Sequence, residues 1–374
     1  MAELYLFLFA VFIFITAVNC GYYLYLSKFS FLKNRPENRL NNVDFKPVSV
    51  IICAKNEAEN LAKNIPLLLS QEYPDFELVL INDNSTDETL PIMEGFAQNY
   101  ATIKVVNVEG NENFWGSKKY ALTLGIKRAK YEHLLFTDAD CAPTSTSWIS
   151  NMAKHFNDQK SIILGYGAYF KIKNSWLNKI IRYETLITAL QYFSYALRKN
   201  PYMGVGRNLA YTSKTFYNNR GFMEHIKIAS GDDDLFINSA ATALNTAVCF
   251  EPSAFTYSSP KLTWKSWFTQ KRRHTSVAAH YKMKHKLQLG LFYASQLLFL
   301  FMAALLLILG YKWQIITAIM LLRYLVVFSV LKGASSKLKE SDLLVWFPLI
   351  EIFLLIFQLS VFITNTLSKP KRWK

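Results

Sequence analysis

The sequence is poor in cysteine, and the few cysteines it has are not spaced for metal binding. Its 374 residues include four, which are far apart and form no C-x-x-C motif: Cys20, Cys53, Cys141 and Cys249. A disulfide framework or a structural zinc site requires closely spaced cysteines, so the scarcity argues against both. The sequence also lacks internal repeats and low-complexity segments. We therefore expect the globular part of the protein to fold without disulfides or structural zinc and to keep its cysteine thiols reduced.

Charged residues are also scarce, and they are almost absent over long stretches of the sequence. Four segments contain at most one charged residue each: Leu4–Leu26, Leu287–Tyr311, Trp313–Leu331 and Leu343–Leu367. A bilayer-spanning helix needs about 20 apolar residues, so each segment is long enough to cross. The three later segments could instead be buried in a soluble core. The first has no basic residue before it and no small-residue cleavage site, so we interpret it as an anchor and not a signal peptide.

Basic residues cluster beside these apolar segments and account for much of the formal net charge of +15. Lys28, Lys33, Arg35 and Arg39 follow the first segment, and three lysines between 282 and 286 precede the second. The positive-inside rule puts both flanks, and the segment between them, in the cytoplasm. The pattern predicts a multi-pass inner-membrane protein whose basic charge serves membrane-proximal loops and not nucleic-acid binding.

The C-terminal apolar segments leave a topological conflict. Four full crossings would put the basic tail, residues 369–374, outside the cell, against the same rule. The third or fourth segment could therefore be re-entrant or interfacial, since Arg323 and Glu351 interrupt them. The same two charges support a different interpretation, a non-catalytic membrane protein or small transporter, because intramembrane charges often mark transport pathways.

Residues 45–280 have the pattern of an α/β domain. Segments of strand type alternate with segments of helix type, and this alternation predicts a mostly parallel, Rossmann-like sheet. The strand-type segments are 47–54, 76–83, 103–109 and 133–140. The predicted organisation is a transmembrane anchor (1–28), a basic linker (29–44), a cytoplasmic domain (45–280) and a membrane region of about three hydrophobic segments (281–374).

Polar side chains gather where three of the predicted strands end. Glu57 follows the first strand, Asp83 ends the second, and Asp138 and Asp140 end the fourth. Ligands of such sheets bind beyond the carboxyl ends of the strands. An acidic crevice suits an anion that arrives with Mg²⁺ or Mn²⁺, since these ions bind one or two carboxylates together with substrate phosphates. Alternatively, Asp138 and Asp140 only cap the next helix.

Five segments in this order resemble membrane-bound family 2 glycosyltransferases, which are inverting enzymes of the GT-A fold. They are VSVIICAKNEAENL (48–61), INDNSTDET (81–89), FTDADC (136–141), SGDDDLF (230–236) and QKRRH (270–274). The resemblance covers residues 45–280. It implies the α/β fold of nucleotide-diphospho-sugar transferases (GT-A), joined to transmembrane helices.

The resemblance also implies roles on the donor side. Ala54, Glu57 and Asp83 would hold the nucleotide base and ribose, and Lys118 would lie near the donor. Asp140 would bind Mn²⁺ or Mg²⁺, with Asp138 directed to the metal or the ribose. A metal bridging the two phosphates would neutralise the leaving group. Gln270 and Arg273, from the family's Q-x-x-R-W segment, would steady the diphosphate.

On the acceptor side, the resemblance makes Asp233 the general base, with Asp232 as its rival. The alternative for both is a solvated acidic turn. Asn208, in GVGRNLAY (204–211), would shape the sugar and acceptor pocket. Trp264 and Trp267 would lie in the headgroup zone beside a membrane acceptor, or would simply pack in the core.

The sequence therefore predicts a membrane-anchored, metal-dependent inverting glycosyltransferase. It would move a sugar from a nucleotide sugar, by preference a UDP-sugar, to a lipid or lipid-linked acceptor. A processive polysaccharide synthase is the alternative within the class. His274 stands where processive members carry tryptophan, which favours single transfer. Outside the class, a metal-dependent nucleotidyltransferase and a non-catalytic protein with a degenerate transferase domain remain open.

Overall fold

The computed structural model describes residues 2–33, 45–109, 118–228 and 230–368. The strands are β1 (Val48–Ala54), β2 (Phe76–Asp83), β3 (Ile103–Val108), β4 (His133–Asp138), β5 (Cys141–Pro143), β6 (Ile162–Leu164), β7 (Gly167–Tyr169), β8 (Leu209–Thr212), β9 (Thr246–Val248) and β10 (Thr256–Ser258). Most of the predicted basic linker, residues 34–44, lies outside the described residues.

Twelve α-helices are present in the described ranges. They are α1 (Ala2–Ser30), α2 (Ala58–Leu69), α3 (Thr89–Asn99), α4 (Lys118–Arg128), α5 (Trp148–Ala153), α6 (Trp176–Leu197), α7 (Ser213–Asn218), α8 (Asp234–Ala240), α9 (Trp264–Val277), α10 (Met283–Ile308), α11 (Trp313–Lys337) and α12 (Phe347–Leu367).

The main sheet has seven strands in the order β3-β2-β1-β4-β8-β6-β9. Strands β1 to β4 are mutually parallel, and β8 runs antiparallel to both of its neighbours. The central strands are rich in Val, Ile and Leu because helices cover both faces, as parallel sheets require. One face buries side chains of α2, α3 and α5, and the other buries side chains of α4 and α6. The predicted mostly parallel sheet is confirmed.

A small second sheet, in the order β5-β10-β7, follows the end of β4. Asp138 is the last residue of β4, and Asp140 immediately precedes β5. The next helix, α5, begins at Trp148 and has Ser147 at its N-cap. The interpretation of Asp138 and Asp140 as helix caps is therefore wrong, because a strand separates them from that helix.

Four helices in the described ranges are long and apolar enough to cross a membrane: α1, α10, α11 and α12. Helix α1 packs against α10 and α11 through an apolar cluster that includes Phe12, Phe299 and Ile316. Towards its C-terminal end, Phe29 stacks on Phe193 of α6. Helix α6 thus joins the apolar helices to the α/β domain.

The two charges inside the apolar segments pair with each other. The Arg323 guanidinium donates to both carboxylate oxygens of Glu351, at 2.7 and 2.6 Å, and both side chains are buried. Its Nε donates to Asn19 Oδ1 at 2.9 Å, and Asn19 Nδ2 donates to Ser295 Oγ at 2.9 Å. This network joins α1, α10, α11 and α12, so structural pairing accounts for both charges without a transport pathway.

Breaking this pair on one side is expected to be costly. Arg323→Met leaves the Glu351 carboxylate buried and unpaired, which should reduce stability by about 3–5 kcal/mol. The double variant Arg323→Met/Glu351→Gln should recover most of the loss, because no isolated charge remains. Thermal unfolding in detergent measures both effects. A double variant no more stable than Arg323→Met would contradict the assignment.

Candidate active site

A cavity of about 2520 Å³ opens at the carboxyl ends of β1, β2 and β4. This position follows from the parallel sheet, whose strand ends meet at one edge. The cavity brings together most of the predicted site residues, from segments that are distant in sequence. Those lining it are Ala54, Glu57, Asp83, Lys118, Asp138, Asp140, Asp232, Asp233, Gln270 and Arg273.

Lys118 joins two of the predicted acidic groups. Its ammonium lies 2.7 Å from Asp138 Oδ1 and 3.2 Å from Asp232 Oδ2. Burial lowers the pKa of Lys118, but Asp138 and Asp232 outweigh that effect and hold it well above its usual value. Burial alone would raise the pKa of Asp138, but the positive charge of Lys118 outweighs burial and lowers that pKa below its usual value. Both groups are therefore charged at neutral pH.

Asp138, Asp140 and Cys141 form a candidate cation site. One potential ligand atom from each lies within 4.8 Å of the others. Burial, followed by the nearby Asp138, raises the pKa of Asp140. Burial also raises the pKa of the Cys141 thiol well above its ordinary value, so the soft thiolate ligand is disfavoured. Two carboxylates without a thiolate form a hard donor set, which fits Mg²⁺ or Mn²⁺.

The acidic segment at residues 232–234 is hydrogen-bonded to the glycine turn at Gly206. Asp233 Oδ2 accepts the Gly206 backbone N–H at 2.8 Å, and Oδ1 accepts the Asp234 N–H at 2.7 Å. A Cβ on Gly206 would lie 3.3 Å from the Asp233 carboxylate, so glycine permits the close approach. Burial and neighbouring Asp232 raise the pKa of Asp233 to about 6. The backbone of the glycine turn thus lies directly against a carboxylate.

Asp232 and Asp234 differ from Asp233 in their partners. Within the described residues, Lys118 is the ion-pair partner of Asp232. Asp234 Oδ2 accepts the Tyr281 hydroxyl at 2.7 Å, which links the acidic segment to the turn before α10. Burial and the charge of Asp233 raise the pKa of Asp234 to about 8. These three residues line the cavity and each contacts a protein partner, which favours a binding or catalytic role over a solvated acidic turn.

Glu57 and Asp83 line the cavity beside the carboxyl ends of β1 and β2. Burial raises the pKa of both carboxyl groups. Asn60 Nδ2 donates to Glu57 Oε2 at 2.6 Å and orients that side chain. Two polar acceptors beside the end of β1 suit the hydroxyl and amide groups of a nucleoside.

Helix α9 carries the Q-x-x-R segment along another wall. Gln270, Arg273 and His274 line the cavity, and Lys271 forms an ion pair with Glu184 of α6 at 2.6 Å. The guanidinium of Arg273 lies in the field of Asp232 and Asp138. A fixed cation opposite carboxylates suits a bound diphosphate.

Sequence reasoning missed two cations. Arg207 lines the cavity, donates to Ser258 Oγ at 2.8 Å and lies 4.0 Å from the ring centroid of Tyr169. Lys119 is buried and donates to the carbonyl oxygens of His225, Ile228 and Ser230, so it holds the loop that leads to the acidic segment. No local signal separates Lys119 from the adjacent Lys118, because the two lysines are chemically alike and belong to the same helical segment.

Three predicted acceptor residues do not line the cavity. Asn208 is buried. Its Nδ2 donates to the Tyr166 and Ala254 carbonyls, and its Oδ1 accepts the Trp148 indole N–H. Trp267 is buried and stacks on a ring of α12, and Trp264 packs against the same helix. None of the three side chains is therefore part of the cavity wall, and their assignment to the acceptor stays a prediction. Asn208 and Trp267 are fully buried, whereas Trp264 is 45% exposed beside α12.

Comparison with known proteins identifies the α/β domain. Residues 49–223 match the family model described as Glycosyl transferase family 2. A stretch of 115 residues is 36% identical to poly-β-1,6-N-acetyl-D-glucosamine synthase of Staphylococcus epidermidis, covering 29% of this chain and 27% of the relative. The chain thus spans about a quarter of that relative's length. The probable glycosyltransferase YdaM of Bacillus subtilis is 26% identical over 290 residues, covering 73% and 67% of the two chains.

A solved structure extends the likeness to the fold. The mannosyltransferase PcManGT from Pyrobaculum calidifontis, solved in complex with GDP-Man and Mn²⁺, aligns with a TM-score of 0.58 at 18% identity. The alignment covers 90% of this chain and 96% of the other. At that identity the likeness establishes the GT-A fold alone. The α/β domain therefore matches the family 2 glycosyltransferase model over residues 49–223, has the GT-A fold and is joined to helices long and apolar enough to cross a membrane.

Proposed function

We propose that this protein transfers a sugar from a nucleotide sugar, with UDP-sugars favoured, to a lipid or lipid-linked acceptor with inversion at the anomeric carbon. The observation that carries the proposal is one cavity with two kinds of wall. Charged residues at the strand ends suit a nucleotide sugar, and residues of the apolar helices suit a lipid acceptor. Asp83, Asp138 and Arg273 line it at one end, and Gln296 of α10 and Gln358 of α12 line it at the other.

On the donor side, Glu57 and Asp83 contact the nucleoside. Asp140 and Asp138 would hold Mn²⁺ or Mg²⁺, which would supply positive charge to the diphosphate leaving group. Lys118 and Arg273 add fixed positive charge to the same leaving group. The Mn²⁺ bound by the mannosyltransferase of similar fold supports a divalent ion at this site.

On the acceptor side, one aspartate removes the proton of the attacking hydroxyl. That oxygen bonds to the anomeric carbon, the bond from that carbon to phosphate breaks, and the nucleoside diphosphate leaves. We assign the base to Asp232, because both carboxylate oxygens of Asp233 accept backbone N–H groups. Asp233 then positions the Gly206 turn beside the base. Asp232 also approaches Lys118, which brings it close to the donor phosphates.

The membrane-side end of the cavity supports a lipid acceptor. Leu354, Leu355, Leu359 and Phe362 of α12 line it together with Phe292 of α10. Both helices are long and apolar enough to contact a bilayer. An acceptor with an apolar chain and a polar head therefore fits the wall composition better than a free sugar does.

The test is release of the nucleoside diphosphate. Purified, detergent-solubilised protein is incubated with UDP-sugars and GDP-sugars, a membrane lipid extract and Mn²⁺. We expect nucleoside diphosphate from one donor, dependent on both lipid and metal, and a single-sugar lipid product. Pyrophosphate as the released product would identify a nucleotidyltransferase instead. No product from any donor, in protein that remains folded, would support the non-catalytic alternative.

A processive polysaccharide synthase is the second candidate, favoured by the similarity to the poly-N-acetylglucosamine synthase. Product length under excess donor separates the two candidates. A single product supports one transfer per acceptor. A ladder of lengthening products would identify the synthase.

A further inference from the structure

Helix α12 is long enough to cross a bilayer, but residues at both of its ends contact the glycosyltransferase domain. Its 21 residues would extend about 31 Å at the rise of an α-helix. Both ends are nevertheless attached to elements of the glycosyltransferase domain. The path of the helix therefore differs from that of α1, α10 and α11.

The N-terminal attachment lies just before α12. Asp342 Oδ1 accepts hydrogen bonds from Lys171 Nζ and from an Arg182 terminal nitrogen, both at 2.7 Å. The ring of Trp346 packs on Trp176 at a centroid distance of 4.8 Å. These partners belong to the start of α6 and the loop before it. The start of α12 is thus held against the domain.

The C-terminal attachment is to α9. Arg272 donates to Asn365 Oδ1 at 3.0 Å and to the Ser368 carbonyl at 2.6 Å. In return, Asn365 Nδ2 donates to the Arg272 carbonyl and to Thr275 Oγ1, both at 2.9 Å. The end of α12 is therefore also held against the domain.

Between these ends, α12 runs alongside α9. Trp264 packs on Phe353, and Trp267 stacks on Phe357 at 4.0 Å. Helix α9 also carries Lys265 and three consecutive basic residues at 271–273. Charged side chains are costly in the hydrocarbon core, so α9 lies at the aqueous boundary, and α12 beside it follows that boundary.

The outer face of α12 is apolar and exposed. Leu349, Ile352, Ile356, Ile363 and Leu367 recur at spacings of three, four and seven residues, which places them on one face of the helix. The opposite face packs on the protein. Because the exposed face is continuous with helices of membrane-spanning composition, its occupant is lipid hydrocarbon.

We infer that α12 does not cross the membrane but lies in the leaflet nearest the glycosyltransferase domain, where it forms the membrane-side wall of the cavity. The chain then crosses three times, through α1, α10 and α11. The end of α12 at Ser368 then lies on the domain side, together with Lys282 and Lys337, which agrees with the positive-inside rule. This topology does not depend on the proposed activity.

Cysteine accessibility tests this topology in the full chain. Ser368→Cys, Asp158→Cys in the domain and Gly310→Cys at the α10–α11 turn are placed singly in the native sequence. A membrane-impermeant maleimide is applied to sealed vesicles of each orientation, with the unsubstituted protein as the background. We expect Ser368→Cys and Asp158→Cys to react in one orientation and to be protected in the other, opposite to Gly310→Cys. Reaction of Ser368→Cys together with Gly310→Cys would overturn the inference.

An epitope tag after residue 374 decides the matter if Ser368→Cys is too enclosed to react. Protease added to the same vesicles should remove the tag in the orientation that exposes Asp158→Cys. Removal in the orientation that exposes Gly310→Cys would show a fourth crossing and overturn the inference. Neither readout requires catalytic activity, so a failed activity assay leaves the result intact.

Discussion

Replacing Asp140 with alanine is expected to abolish metal-dependent release of the nucleoside diphosphate. Asp140 and Asp138 form the hard donor pair at the end of β4, and Asp140→Ala removes half of it. Without the ion, the leaving diphosphate loses several kcal/mol of charge stabilisation, so the rate should fall by about 10³-fold or more. The measurement is the initial rate of nucleoside diphosphate release at saturating Mn²⁺.

The matched control for this variant is Asp158→Ala, which removes an exposed carboxylate that does not line the cavity. It should retain the rate of the unsubstituted protein. Mn²⁺ binding in the presence of the nucleotide provides a second readout, and it should weaken only in Asp140→Ala. Normal Mn²⁺ binding in Asp140→Ala would contradict the assignment of the metal site.

Replacing Asp232 with asparagine is expected to reduce kcat by about 10²–10⁴-fold, the usual contribution of a general base. The amide in Asp232→Asn could still accept a hydrogen bond but could not take a proton from the acceptor hydroxyl. Donor binding should change much less, because the base acts on the acceptor. Steady-state kinetics with excess lipid acceptor, together with nucleotide binding, measures both effects.

Asp233→Asn is the matched comparison that distinguishes Asp232 from Asp233 as the base. The asparagine retains one side-chain oxygen for a backbone N–H, so kcat should fall far less than in Asp232→Asn. If Asp233 were the base, the order would reverse. The pKa of Asp233, near 6, would then appear in the unsubstituted protein as a tenfold fall in kcat per pH unit below about pH 6. That combination would transfer the role of base to Asp233.

Much of the domain was predictable because its signals are local. Runs of Val, Ile and Leu in β1, β2 and β4 are typical of strands buried on both faces, and amphipathic segments between them are typical of crossover helices. Once the sheet is parallel, the residues that follow its strands must meet at one edge. Glu57, Asp83 and Asp138 were therefore expected to lie together, and they line one cavity.

The choice between neighbouring residues was not predictable from the pattern. Lys118 and Lys119 are adjacent and chemically alike, yet the first faces the acidic groups and the second holds a loop. Asn208 matched a motif, but its environment is a buried set of carbonyls and an indole. Which way a side chain points depends on partners far away in sequence, and no local pattern records them.

The sequence by itself determined the apolar segments, the parallel sheet and the acidic edge, because each depends on spacing within a few turns or strands. Tertiary structure alone decided that Arg323 pairs with Glu351 and that α12 packs along α9. The composition of a helix indicates only whether it can lie in the hydrocarbon core of a membrane. Its direction depends on what holds its two ends, and here Asp342 and Asn365 attach both ends to the same domain.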